Sequence, residues 1–96
     1  MEMILNKDYG GFGLSSKACT LIAERKGISD NDPYLWNYDK LRYDKDAIAV
    51  VKELGEKASD MFAKLVVVDI PYDYYHMTEY DGYEEVYCSA APIEIK

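Results

Sequence analysis

Asp81-Gly82 separates two runs of alternating polarity, residues 72–80 and 83–88. A two-residue Asp-Gly loop is the strongest short-range signal for an antiparallel hairpin. The type I′ turn it forms needs positive φ at both central positions, which few residue pairs tolerate. Alternation then puts Tyr83, Glu85 and Tyr87 on one face, and Glu84, Val86 and Cys88 on the other. The hairpin closes a chain of 96 residues, which is the size of one domain with a thin stability margin.

The stretch upstream reads as strand, helix, helix, strand. Residues 2–7 form a short first strand, broken by Gly10, Gly11 and Gly13. Ser15, backed by Ser16, is a helix N-cap, and Leu14 can staple the first turn. Ala18, Leu21, Ile22 and Arg25 repeat at helical spacing, which predicts a helix over 16–26 that Gly27 ends. Residues 28–45 are the least regular part, with turn formers at Asp30, Asn31, Asp32 and Pro33, and aromatics that argue for packing. Asp44 or Asp46 caps a second helix, whose stripe is Ile48, Val51, Leu54 and Ala58. Gly55 ends or bends it, and residues 56–64 are a short extension carrying Met61 and Phe62. Residues 65–70 are a β-branched run, a buried strand stopped by Pro71. The order β-α-α-β-β-β predicts an α+β fold: a small mixed or antiparallel sheet of about four strands with two helices on one face. Residues 1–88 are one domain, 28–45 its Tyr- and Asp-rich connecting loop, and 89–96 a flexible tail.

Charge is distributed unevenly. The formal net charge is −7. Residues 69–96 hold Asp69, Asp73, Glu79, Asp81, Glu84, Glu85 and Glu94 against Lys96 alone. Nucleic-acid binding draws on clustered Lys and Arg, and no such cluster exists, which argues against direct nucleic-acid contact. An acidic surface favours a basic partner protein. Ten tyrosines and one tryptophan fall mostly in residues 33–43 and 72–87. Tyrosine supplies large contact area at low entropic cost. No apolar run reaches the roughly 18 residues of a membrane span. The first residues show no export signal, so Cys19 and Cys88 are expected as reduced thiols in cytosol.

Chemistry is sparsely signalled. His76 is the only histidine and has no nucleophile in a recognisable local pattern. Glu84-Glu85 and the Asp44/Asp46 pair read as solvated charges and caps, and no calcium-loop pattern is present. No catalytic residue, metal or cofactor is expected, and the protein is read as a non-enzyme. The glycine turn has two readings. A strand, a glycine turn and a helix N-terminus can bind an anion. The same glycines can also serve only to let the backbone bend tightly, with Phe12 as a core plug.

The stretch Asn6-Lys7-x-Tyr9-Gly10-Gly11-Phe12-Gly13-Leu14-Ser15 resembles a group of small proteins of uncharacterised activity found widely in bacteriophages and prophages. Further matching features are Arg42-x-Asp44, Val51-x-Glu53-Leu54-Gly55, Val68-Asp69-Ile70-Pro71 and Glu79-Tyr80-Asp81-Gly82-Tyr83-Glu84. The resemblance implies a phage-encoded accessory protein acting in the cytoplasm of a bacterial host.

Two functions follow as expectations. In the first, an acidic accessory protein binds and modulates a host protein with a basic surface, as an anti-defence or takeover inhibitor with a nucleic-acid-like face. Its contact residues would be Asp73, Tyr74, Glu79, Asp81, Glu84 and Glu85. In the second, a small-ligand module holds an anionic nucleotide. Lys7, Gly10, Gly11, Gly13, Ser15 and Arg42 would hold the phosphate, and Trp36 would stack the base. Neither expectation involves a membrane, and both leave a homo-oligomer open.

Overall fold

Met3-Ile4-Leu5 and Val66-Val67-Val68 are apolar at consecutive positions, and the fold buries both faces of the strands they form. The structure, a computed structural model, describes residues 1–70, 75–88 and 91–92. In chain order it contains β1 (Glu2–Asn6), α1 (Ser16–Lys26), a 3-10 turn (Pro33–Trp36), α2 (Tyr38–Leu41) and α3 (Lys45–Leu54). A second 3-10 turn (Gly55–Ala58), β2 (Leu65–Asp69), β3 (Tyr75–Tyr80), β4 (Tyr83–Cys88) and a two-residue β5 (Ala91–Pro92) follow.

The α+β class is as read from the sequence, and the expected order β-α-α-β-β-β is kept with the short α2 and β5 added to it. The strands, however, divide between two antiparallel sheets, β1-β2 and β3-β4-β5, where a single sheet was expected. β1 and β2 pair from Glu2↔Asp69 to Asn6↔Leu65. Ile4 and Leu65 point into one apolar cluster with Ile22, Leu35, Leu41 and Val50 from the helical side. Met3, Leu5 and Val68 point the other way and pack with Ile70 and Val86 of the hairpin layer. The β1-β2 ribbon is thus the middle layer, covered by helices on one face and by the hairpin on the other. The sheets do not merge because the place beside β1 is occupied. The Ile4 amide donates to the Arg42 carbonyl at 2.8 Å, and the Asn6 amide to Glu84 Oε1 at 2.8 Å.

Local signals were followed closely. α1 spans the expected residues. Ser15 Oγ accepts from the Ala18 amide, and Gly27 adopts the left-handed conformation at φ 69°. The hairpin turn has φ 49° at Asp81 and 91° at Gly82, the signs of a type I′ turn. The irregular segment is more ordered than expected. Asp32 and Asn37 cap its two short helical turns, and Leu35 and Leu41 are buried. Ala91 and Pro92, expected in a loose tail, pair with Cys88 and Tyr87. The rest of that tail lies outside the described residues. Among the described residues no helix is long and apolar enough to cross a membrane.

Asp44 ties the helices together. Its Oδ1 accepts from the amides of Asp46 and Ala47 at the start of α3. Its Oδ2 accepts from the Tyr34 hydroxyl at 2.7 Å and pairs with Lys26 Nζ at 2.6 Å. Burial opposes the charge on Asp44, but the bonds from Lys26, Tyr34 and the Ala47 amide outweigh it. The carboxyl is therefore held below its ordinary value of 3.8. A depressed folded-state value means the stability from Asp44 is present above 3.8 and is lost as pH falls through the lower folded value. The urea midpoint of the wild type should therefore drop below about pH 4 more steeply than that of Asp44→Asn. Asp44→Ala should lose about 1–2 kcal/mol at neutral pH through the missing cap, read by urea unfolding.

Candidate functional site

A buried polar knot seats the hairpin on β1. Arg42 follows α2, and Glu84 lies on the inner face of β4. The guanidinium meets the carboxylate in a two-pronged contact, Nη1–Oε1 at 3.1 Å and Nη2–Oε2 at 2.9 Å. Arg42 Nη1 also donates to the Ile4 carbonyl at 3.3 Å. Asn6, fully buried, donates through Nδ2 to the carbonyls of Gly82 at 2.6 Å and Asp8 at 2.8 Å. Its Oδ1 accepts from the Lys64 amide at 2.9 Å. Lys7 Nζ donates to the Glu84 carbonyl at 2.6 Å and sits 4.4 Å from the Tyr83 ring centre. The Tyr9 ring stacks on Tyr83 at 5.2 Å.

Gly10, Gly13 and Gly82 are accounted for by close approach, and Gly11 by its φ of 98°. A Cβ on Gly82 would stand 2.3 Å from the Gly11 amide nitrogen, and one on Gly10 would stand 2.3 Å from both Cβ and O of Phe62. At Gly13 it would meet the Asp60 carboxylate. The turn is packed between the hairpin tip and the segment that precedes β2, and its glycines are the residues that fit there. Phe12 does plug the core edge, lying between Tyr38 at 4.7 Å and the Arg42 guanidinium at 5.1 Å.

This packing pushes a band of acids and rings outward. Tyr80 is 73% exposed, Tyr9 62%, Phe62 63% and Met61 84%. Glu79, Asp81, Asp8, Asp60 and Glu56 are exposed around them. An open depression of about 530 Å³ is lined by Tyr9, Gly10, Gly11, Glu79, Asp81 and Gly82. A second, of about 410 Å³, has Asp8, Glu56, Asp60 and Lys64 along it. None of these acids has an ion-pair partner among the described residues.

Of the expected partner-contact residues, Glu79 and Asp81 are exposed at the tip and Glu85 is half-buried on the outer face. Glu79 Oε2 accepts from the Gly82 amide at 2.8 Å, which braces the turn. Asp73 and Tyr74 lie outside the described residues. Glu84 is corrected: it is 5% exposed and committed to Arg42, because it shares the inner face with Val86. Sequence reasoning missed Tyr9, Phe62, Met61, Asp8, Asp60 and Glu56. Adjacent apolar Met61 and Phe62 inside a charged stretch were the available signal.

The phosphate-holding set is not brought together. Arg42, expected as a ligand, is buried against Glu84. Ser15 Oγ donates to the Lys57 carbonyl at 2.6 Å while capping α1. Lys7 is engaged with Glu84 and Tyr83, and Trp36 stands exposed on its own 3-10 turn. Burial, then the charge of Asp30, pushes the Cys19 thiol above its ordinary value, which makes it a poor nucleophile. Among the described residues no group of three or more His, Cys, Asp or Glu is placed to hold a metal ion. No protein-family model, curated protein or solved structure matches the chain.

Truncating either member of the knot leaves an uncompensated buried charge. Glu84→Ala and Arg42→Ala should each lower the unfolding free energy by about 3–5 kcal/mol. Glu56→Lys on the open surface should stay within about 0.5 kcal/mol. Gly82→Ala, with no room for its Cβ and a left-handed backbone, should cost more than about 1 kcal/mol. Urea titration of the four variants checks all of these.

Proposed function

We propose that this protein is a non-enzymatic binding module that docks on a basic protein surface through the acid and aromatic band at the hairpin tip. The observation that carries this reading is the juxtaposition of exposed Tyr9, Phe62 and Tyr80 with Asp8, Asp60, Glu79 and Asp81, acids that no base of the described chain neutralises. Exposed rings supply contact area at small entropic cost, and unpaired carboxylates supply steering and orientation. The resemblance to small phage proteins makes a bacterial host protein, in the host cytoplasm, the partner to look for. Occupying a groove that otherwise receives nucleic acid is the mode of inhibition this charge would serve.

The test uses variants that keep the turn intact. Glu79→Gln retains an acceptor for the Gly82 amide, and Asp81→Asn tolerates positive φ. Wild type, Glu79→Gln/Asp81→Asn and Tyr80→Ala are used as bait in a bacterial lysate at low and high salt. A specific partner should be retained by wild type at low salt, and the double variant should weaken it by about tenfold or more. A partner indifferent to salt and to all three changes removes the basis of this reading.

A further inference from the structure

Among the described residues no strand pairs with the outer edge of β2, and the chemistry of that edge is specific. Met1 and Lys64 accept from Ile70 and Lys7, which fixes the parity of the ladder: Met3↔Val68 and Leu5↔Val66 are the hydrogen-bonded pairs. The peptide groups of Leu65, Val67 and Asp69 therefore point away from β1. Ser59 Oγ takes the Leu65 amide at 2.8 Å. The Val67 and Asp69 amides donate to no described residue, and the Leu65 and Val67 carbonyls accept from none. The corresponding edge of β1 is closed by Arg42 and Glu84, so among the described residues β2 is the free side of this ribbon. The usual guards of an exposed edge, an internal lysine, proline or bulge, are missing from Leu65–Asp69.

Two open depressions flank this edge. One runs between Leu65–Val67 and the end of α3 at Val51, Lys52 and Gly55. The other carries Asp8, Glu56 and Asp60 against the single base Lys64. Lys52, in the first, is already paired with Glu2. Exposed Phe62 lies against Gly10, and they stand two residues along the chain from Asp60 and Asp8 of that depression, respectively.

We infer that the outer edge of β2 takes an extended peptide with basic residues at alternate positions as an added strand, its backbone bonding Val67 and its cations entering the groove of Asp8, Glu56 and Asp60. Strand addition draws affinity from main-chain bonds and selectivity from pockets for alternate side chains. The charge favours a basic peptide over a second copy, because two copies each carry −7. The inference shares with the proposed function the sign of the partner's charge and the acids Asp8 and Asp60. It adds the β2 edge, which that reading does not use, and changes at Glu79 and Asp81 against protection of Val67 tell the two apart.

The probe is a fluorescein-labelled, end-capped Lys-Val-Lys-Val-Lys-Val-Lys peptide, with a Glu-for-Lys version as control. Anisotropy is measured with the full chain, together with amide hydrogen exchange by NMR. Saturable binding of the lysine peptide alone is expected, with exchange of the Val67 amide slowed about tenfold or more at saturation. Glu56→Lys/Asp60→Lys should weaken the peptide about tenfold or more, and Glu79→Gln/Asp81→Asn less than about threefold. Val67→Pro removes an outward donor that β1 does not use and should abolish binding. If that variant unfolds, the Val67 exchange in wild type decides. No saturable binding overturns the inference. So does equal binding of the glutamate peptide, or slowed exchange at the hairpin tip with Val67 unchanged. Protection of Val67 that rises with protein concentration without peptide would also overturn it, in favour of a second copy. A lysate partner lost on changing Glu79 and Asp81, with Val67 unprotected, would leave the tip reading standing and this one refuted.

Discussion

The contact between Arg42 and Glu84 carries the arrangement of the whole molecule. One guanidinium reaches the β4 carboxylate and the Ile4 carbonyl, while the Arg42 main chain receives the Ile4 amide. The loop after α2, the first strand and the terminal hairpin are thereby fixed to one another at a single point. Burying two charges is costly, and Arg42 Nε has no partner among the described residues. The gain in net stability over an apolar replacement is therefore small, and the pair acts chiefly by making one docking geometry better than its neighbours. An apolar contact at this place would hold the hairpin but would tolerate several positions, since apolar packing is not directional.

The surface is a consequence of how the charges are spent. Arg25 pairs with Glu53, Lys26 with Asp44 and Asp46, Lys52 with Glu2, and the chain terminus with Asp69. These pairs tie the helical layer to itself and to the outer ends of the ribbon. The acids near the glycine turn and the hairpin tip are left without counter-charges from the described chain, and the rings of Tyr9, Tyr80 and Phe62 stand among them. The tight approach of Gly10, Gly11 and Gly82 produces this band, because it holds the tip and the pre-β2 segment together. Of the two readings of the glycine turn, the tight bend is the one its contacts support, and its product is an exposed surface.

Reading the chain in order recovered the elements whose causes are local. Ser15 and Gly27 bound α1 because a cap acts on amides within its own turn, and Asp81-Gly82 makes its turn because φ is a property of single residues. The irregular segment was under-read because Asp32 and Asn37 act as caps of very short turns, which carry too few residues to show a period. Alternation had already placed Glu84 on the face of Val86. Its burial was missed because its counter-ion lies 42 residues away in sequence.

From sequence alone came the α+β class, the order of elements, the caps, the hairpin turn and the acidic, tyrosine-rich terminal third, all set by neighbouring residues or by composition. Only the tertiary structure decided that the strands form two sheets, that Arg42 and Glu84 neutralise each other inside, that the glycines serve close packing, and which acids remain on the surface. Those outcomes depend on which distant groups share a volume, and burial and pairing exist only once the chain has closed on itself.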